Sequence, residues 1–172
     1  GVFRIEGIDI PFGTFFFGGI GNGIIVGSNT TAIGIIPLLG DFIFGNEGNA
    51  IVAANAGVDF VFGADGDDRI DGGTGMDFAF GSGGNDTVLG NDGTDLVTGN
   101  DGNDTVQGGA GLIDLVFGGD GNDALYGDDG MDLVFGRDGA DTIYGGNGID
   151  LIFGANDADF IEGNDGIDLV FG

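Results

Sequence analysis

The sequence contains no cysteine, histidine, tryptophan or lysine, and its only basic residues are Arg4, Arg69 and Arg137. Without cysteine and histidine, the chain lacks two of the side chains that most often act as nucleophile or general base. The serines Ser28 and Ser82 have no neighbouring base that would activate them. We therefore expect that the protein is not an enzyme.

The chain also has very little positive charge, with three basic against 29 acidic residues and a formal net charge of −26. Binding to nucleic acid depends on lysine and arginine contacts with phosphate, so nucleic acid is excluded as a partner. No apolar run approaches the ~18 residues that a membrane-spanning helix needs. We expect no membrane span.

Glycine is abundant, with 42 of 172 residues, and it follows a strict period. From Gly63 onward the chain divides into twelve consecutive units that each open with glycine; eleven have nine residues and one, residues 108–117, has ten. Aspartate is the sixth residue of the nine-residue units and Asp114 is its equivalent in the longer one, while position 8 is always apolar. A glycine content this high usually indicates disorder, but the strict repeat argues against it.

Each unit combines a turn with a short strand. Six polar, glycine-rich residues disfavour a helix, because glycine costs up to ~1 kcal/mol at each helical position. They favour a tight turn with positive φ. The next three residues suit a strand whose middle side chain faces inward. Two units form one coil of 18 residues, so that each loop stacks on the loop 18 residues away.

The repeat GGxGxDxUx, found here as GGDGNDALY and GGNGIDLIF, resembles the repeats-in-toxin (RTX) nonapeptide, a calcium-binding β-helix repeat. The resemblance covers about two thirds of the chain. It implies an all-β fold, a right-handed parallel β-roll (β-solenoid), with two short strands and two Gly/Asp-rich turns per 18-residue coil. It also implies that Ca²⁺ binds to the position-6 aspartates and to loop carbonyls.

Stacking of the coils places the position-6 aspartates in two rows. The first Asp row is Asp41, Asp59, Asp77, Asp95, Asp114, Asp132, Asp150 and Asp168; the second Asp row is Asp68, Asp86, Asp104, Asp123, Asp141 and Asp159. By the resemblance, an ion lies between stacked loops and takes an aspartate from each, which gives up to about twelve Ca²⁺ ions. Their charge would nearly neutralise the chain. The alternative is that these aspartates only form turns. The predicted metal ligands exclude Asp41, whose loop lacks the early glycines.

The first 53 residues follow a degenerate form of the repeat and hold only four of the 29 acidic residues. Counting in nines predicts strands at residues 15–17, 24–26, 33–35, 42–44 and 51–53, with Phe16 inside one rung and Gly34 inside the next rung on the same side, a large residue compensated by a small one. Residues 3–6 resemble residues 160–162 and predict a first rung. We expect one continuous roll over residues 1–172, with apolar, calcium-poor coils over 1–53 and regular calcium-binding coils over 54–172.

Alternate strands differ in their outward residues. In one set the inward residue is flanked by apolar pairs such as Phe60 and Phe62 or Leu133 and Phe135, whereas the other set is mixed. This predicts that one sheet is apolar outside over its whole height. Outward threonine is too sparse for an ice-binding ladder.

Two hypotheses for function remain. The first is a calcium-binding extracellular structural protein that self-assembles into a fibre, sheath or surface layer. As a homo-oligomer or filament it would use end-to-end stacking of uncapped ends and lateral contact of its apolar Leu/Phe face. The alternative is a calcium-dependent secretion or folding module of a larger toxin, adhesin or exoenzyme. Either implies a secreted, extracellular or cell-surface protein, and the absence of cysteine fits a fold stabilised by metal rather than by disulfides.

Overall fold

A computed structural model describes residues 2–5, 8–11, 24–26, 32–34, 40–45 and 47–172, with side chains described from residue 40 onward. The described residues form β-strands, turns and loops without any helix. Consistent with this, no helix in these ranges is long and apolar enough to cross a membrane. The predicted all-β solenoid with an 18-residue coil is confirmed.

The first sheet contains every second strand of the roll, and all its neighbours are parallel. Its strands are β3 (Ile24–Val26), β5 (Phe42–Phe44), β8 (Phe60–Asp65), β10 (Phe78–Gly83), β12 (Leu96–Asp101), β14 (Leu115–Asp120), β16 (Leu133–Asp138), β18 (Leu151–Ala155) and β20 (Leu169–Phe171).

The second sheet contains the strands between them, again parallel. They are β4 (Ala32–Gly34), β6 (Ile51–Ala53), the short β7 (Ala56–Gly57), β9 (Arg69–Gly75), β11 (Thr87–Gly93), β13 (Thr105–Gly111), β15 (Ala124–Gly130), β17 (Thr142–Gly148) and β19 (Phe160–Gly166).

Most strands of the regular part have five to seven residues, longer than the predicted three. The reason is that the start of each loop also pairs in register with the loop one coil away. Between β10 and β12, for example, pairing continues from Phe80 with Thr98 to Gly83 with Asp101. The first part of each loop is therefore part of the sheet.

The core is a double column of middle-strand residues, as the repeat predicts. Ile43, Val61, Ile70, Val97 and Leu125 are fully buried, and the equivalent residues of other coils match them. In the last coil Ile161 is half-buried and Val170 is exposed. Each coil adds only two such side chains, so the core is one residue deep and apolar burial per coil is small.

The outward side of the first sheet carries stacked aromatic rings. Ring centroids of Phe42, Phe60 and Phe78 are 4.7 and 4.5 Å apart. A second ladder runs from Phe117 to Phe171 with spacings of 4.9 to 5.1 Å. The predicted apolar outer face is present along the described side chains of this sheet. The aromatic ladders are separated by Leu96 and Thr98, of which only Thr98 is polar.

The early part of the chain differs from the sequence prediction in two places. Strand β4 ends at Gly34 and pairs Ile33 with Val52. The predicted register, which aligned Gly34 with Val52, is therefore wrong by one residue. Strands β1 (Val2–Ile5) and β2 (Ile8–Pro11) form an antiparallel hairpin rather than the parallel rung expected from residues 3–6. The alternation of apolar and polar residues in Phe3-Arg4-Ile5 and Ile8-Asp9-Ile10 suits a hairpin equally well. The predicted strand at residues 15–17, with Phe16, lies outside the described residues.

Candidate metal centre

The position-6 aspartates form the two predicted rows, and each side chain is tied to the coil before it. One carboxylate oxygen, Oδ1, accepts a hydrogen bond from the main-chain N–H of the position-6 residue one coil earlier. The distances are 2.6 to 3.1 Å along both rows, in which the acceptors are Asp59, Asp68, Asp77, Asp86, Asp95, Asp104, Asp114, Asp123, Asp132, Asp141, Asp150, Asp159 and Asp168. One oxygen of each predicted ligand is thus used to align the stack.

The other oxygen, Oδ2, is buried without a hydrogen-bond partner in twelve of these thirteen aspartates, all except Asp168. Most of these side chains are also nearly inaccessible; Asp59, Asp77, Asp114 and Asp132 are 0% exposed. An unpaired buried carboxylate oxygen is strongly unfavourable. Its regular recurrence at one position of every coil leaves a row of unpaired carboxylate oxygens that could hold a cation.

The glycine that opens each unit leaves the space for that oxygen. A Cβ at Gly90 would lie 2.7 Å from Oδ2 of Asp95, and a Cβ at Gly81 would overlap Oδ2 of Asp86. The same holds at position 1 of the other units from Gly63 onward. Position 1 is therefore glycine because the carboxylate occupies the volume of its side chain.

Loop positions 2 and 4 lie in the left-handed region of backbone space. Position 4 is usually glycine, as at Gly66 and Gly84, and position 2 is often asparagine, as at Asn91 and Asn100. Glycine and asparagine tolerate positive φ better than other residues. At position 4 a side chain would also overlap the glycine carbonyl one coil away, as at Gly102 with Gly84. The loops therefore stack through exposed main-chain carbonyls.

Burial raises the pKa of eleven aspartates of the two rows. The carboxylates one coil above and below add to the shift, and the hydrogen bond to Oδ1 opposes it. The pKa rises to about 7 for Asp77, Asp86, Asp123 and Asp132 and to about 6 for Asp95 and Asp141. It is also raised for Asp59, Asp68, Asp104, Asp114 and Asp150. The stacked carboxylates thus resist ionisation unless a cation compensates their charge.

The donor set matches a hard cation. All available donors are oxygens, namely carboxylate Oδ2 atoms and loop carbonyls, which Ca²⁺ takes in groups of six to eight. In the described part of the chain no three acidic side chains form a ready-made metal cluster. Each gap between coils instead offers carboxylates in pairs, so that an ion there would complete its shell from main-chain carbonyls.

Three departures from the repeat are absorbed locally. The extra residue of unit 108–117 is taken up by a bulge that leaves Leu112 81% exposed, and Asp114 keeps its regular place with Oδ1 2.8 Å from the N–H of Asp95. Asp157 occupies a glycine position with φ 75°. Asp41, in a loop without early glycines, is nevertheless buried.

Three features escaped the sequence analysis. Along the second Asp row, position 5 carries a ladder of Asn and Asp, in which the N–H of Asn103 donates to Oδ1 of Asn85 at 2.9 Å. Along the first Asp row, position 5 is mostly apolar and exposed, interrupted by Thr94. This apolar ridge is formed by Val58, Met76, Leu112, Ile113, Met131, Ile149 and Ile167. The third feature is Asp128 at position 2, whose Oδ2 is also buried without a partner. These positions stand out in the sequence only when the units are aligned and positions 2 and 5 are compared row by row.

The model of the RTX calcium-binding nonapeptide repeat matches this chain in four copies, at residues 44–79, 80–112, 113–143 and 135–170. The matched residues cover well over half of the chain and include all thirteen aspartates whose Oδ1 accepts a main-chain hydrogen bond. No curated protein and no solved structure showed a significant match.

Proposed function

Because the chain belongs to the family of RTX calcium-binding nonapeptide repeats, we propose that its position-6 aspartates bind Ca²⁺ between successive coils, and that the calcium-bound roll is an extracellular structural protein. The observation that carries this proposal is the unpaired, buried Oδ2 of twelve aspartates. The repeat is a structural calcium-binding motif, and the proposed role is mechanical rather than catalytic.

Each part of the loop has its own task in this proposal. Oδ1 of the aspartate aligns one coil on the next, as between Asp77 and Asp95. Oδ2 is left for the ion, and the position-1 glycine provides the space. Calcium supplies the positive charge that compensates the negative charge of these buried carboxylates. Within residues 54–172, where the loops are regular, the seven and six aspartates of the two rows give eleven gaps for ions, and the gap next to Asp41 would bring the number to twelve.

Calcium availability supports an extracellular location. Extracellular calcium-binding modules have Kd values of about 10⁻⁴–10⁻³ M, far above cytosolic calcium. Without the ion, repulsion along the Asp rows and the backbone entropy of 42 glycines oppose folding. The chain is then unfolded where calcium is scarce and folds where it is abundant, outside the cell.

Self-assembly is proposed through the apolar outer face of the first sheet, with a second copy as the occupant. The stacked phenylalanines repeat at the spacing of the coils, so two copies can interleave their side chains along the whole face. The face is about 40 Å tall and about 10 Å wide, or roughly 400 Å². Alone this is small for a stable interface, which needs about 800 Å² per partner.

The apolar ridge adds to this area, because the loops that carry it lead directly into the strands of the first sheet. Such a combined surface suits lateral packing of many copies into a fibre, sheath or layer. End-to-end stacking of rolls stays a prediction from the sequence.

Circular dichroism with and without a calcium chelator tests the calcium-dependent fold. The β-sheet spectrum is expected in millimolar CaCl₂ and should be lost in chelator at neutral pH. A β-sheet spectrum that is unchanged in excess chelator would contradict calcium-dependent folding.

A further inference from the structure

The gap between loops 108–114 and 127–132 differs from the other gaps of the first Asp row in the carboxylates that surround it. As elsewhere, Asp114 and Asp132 are fully buried and each has an unpaired Oδ2. Here a third unpaired, buried carboxylate oxygen is added, Oδ2 of Asp128. Among the twelve units, only this one has aspartate at position 2.

The neighbours of Asp128 leave its Oδ2 without a protein partner. In the sheet register Asp128 is opposite Gly109 on one side and Gly146 on the other, so neither adjacent coil offers a side chain at this position. Its negative charge acts on the same gap, because it helps to raise the pKa of both Asp114 and Asp132.

The ten-residue unit changes the same gap independently. In regular gaps the N–H of position 5 donates to the position-4 glycine carbonyl one coil earlier, as from Ile149 to Gly130 at 3.2 Å. Here the N–H of Met131 donates to Leu112 instead, at 3.0 Å. A Cβ at Gly130 would lie 3.2 Å from the Gly111 carbonyl oxygen, whereas a Cβ at the equivalent Gly148 would overlap the Gly130 carbonyl. The inserted residue therefore loosens the contact between these two loops.

From this we infer that the gap between Asp114 and Asp132 uses the carboxylate of Asp128 as a third acidic group and is the tightest Ca²⁺ site of the roll. Calcium affinity rises with the number of charged ligands in a site. Since this site fills first, it starts calcium-driven folding near the middle of the regular coils. The inference rests on the proposed function, because it assigns a rank to one of the proposed sites.

The three carboxylates do not converge on one point as the loops stand. Binding in the proposed site therefore requires a side-chain rotation of Asp128 toward the gap. The competing account is that Asp128 only forms the turn, where φ is 74°. That account predicts no role for its charge.

The test compares Asp128→Asn with Asp129→Asn in calcium titrations of the full chain by calorimetry. Asparagine keeps the backbone conformation, since Asn91 has φ 75° at the same loop position. Asp129 is the exposed neighbour, so its substitution removes the same charge one residue away. We expect Asp128→Asn to weaken the tightest binding step roughly tenfold, and Asp129→Asn to change it much less.

A second readout locates the site. Tyr126 lies two residues before Asp128, and the chain has only one other tyrosine, Tyr144, and no tryptophan. In a Tyr144→Phe background, tyrosine-sensitised Tb³⁺ luminescence should appear with the first equivalent of TbCl₃. With Asp128→Asn added it should appear only after other sites fill.

Equal effects of the two asparagine variants, or Tb³⁺ luminescence that appears late in the parent, would overturn the ranking while leaving calcium binding intact. If the unmodified chain takes up no calcium at neutral pH, the proposed function itself fails, and this inference fails with it.

Discussion

The main-chain N–H of Asp77 donates a 2.8 Å hydrogen bond to Oδ1 of Asp95, while Oδ2 of Asp95 is buried with no partner. The two oxygens of one carboxylate thus have different tasks, alignment of the stack and, as we propose, binding of the ion. This relationship recurs along both Asp rows, and it allows the two tasks to be separated by substitution.

The first prediction concerns Asp95→Asn. The amide oxygen can still accept the hydrogen bond from Asp77, but the charge is lost. We expect the calcium stoichiometry to fall by about two, because Asp95 faces ions in the gaps on both sides. Calorimetric titration measures this. The control is Asp92→Asn, which removes an exposed charge of the same loop; equal losses in both variants would contradict the assigned role of Asp95.

The second prediction concerns pH. In the calcium-free chain the folded state raises the pKa of Asp77, Asp86, Asp123 and Asp132 from 3.8 to about 7. The folded state therefore binds more protons than the unfolded state between about pH 4 and pH 7. The stability that these groups contribute is fully present below about pH 4 and is lost as the pH rises to 7.

Circular dichroism of the calcium-free chain should accordingly show more β-structure at pH 5 than at pH 8. Calcium should show the opposite trend, with weaker binding at pH 5, because protons compete for the same oxygens. A calcium-free chain that is better folded at pH 8 than at pH 5 would refute the role of buried carboxylates in keeping it unfolded.

The third prediction tests the space reserved at position 1. In Gly81→Ala the new Cβ would overlap Oδ2 of Asp86 and lie 2.8 Å from the carbonyl oxygen of Gly99. We expect a stability loss of about 1–3 kcal/mol in calcium, as for other overpacked positions. In the control Gly83→Ala the nearest atom lies 3.4 Å away, so little change is expected. Chemical denaturation in millimolar CaCl₂ compares the two, and similar losses would argue against a steric role for Gly81.

The fourth prediction concerns backbone strain at Ala64, which has φ 81° at loop position 2. The left-handed region costs an alanine roughly 1–2 kcal/mol in the folded state, which glycine would relieve. The greater freedom of glycine in the unfolded chain offsets about 0.4–1 kcal/mol of this gain. Ala64→Gly should therefore stabilise the calcium-bound roll by up to about 1 kcal/mol. Asn100→Gly, at the same loop position with φ 78°, should give less or nothing. Thermal unfolding in calcium measures both, and a destabilised Ala64→Gly would be the contrary result.

The sequence predicted the regular coils well because two residue types fix their phase. Glycine at position 1 and aspartate at position 6 allow one register, so the inward residues and both Asp rows follow. In the early coils this pair is missing, and nothing in the sequence decides whether Ile33 or Gly34 aligns with Val52; the structure pairs Ile33 with Val52. The hairpin of β1 and β2 was missed because strand direction is set by partners rather than by composition.

The role of Asp128 could not be predicted from its residue type. Aspartate at loop position 2 is an ordinary turn residue. What singles it out is the burial of one oxygen between two glycine positions, Gly109 and Gly146, which depends on the register across three coils. The apolar ridge likewise becomes visible only when the loops are divided between the two edges of the roll.

The last prediction concerns self-association through the first sheet. Phe117, Phe135 and Phe153 stack on its outer side with ring centroids 5.0 and 5.1 Å apart. Their triple substitution by serine should convert assemblies to monomers in sedimentation experiments, because it removes apolar area from a face that is already small for an interface. Calcium binding should persist, since these side chains point away from the Asp rows. The lost ring stacking, about 0.5–1.5 kcal/mol for each pair, should lower the stability of the single roll as well. The control therefore replaces Tyr126 and Tyr144, the stacked pair of the second sheet, by serine. It removes stacked rings from the opposite face and should leave assembly intact.

Assembly should also require calcium, because rolls with a net charge near −26 repel one another until the ions neutralise them. A parent protein that stays monomeric at high concentration in millimolar CaCl₂ would exclude this face as a self-association surface.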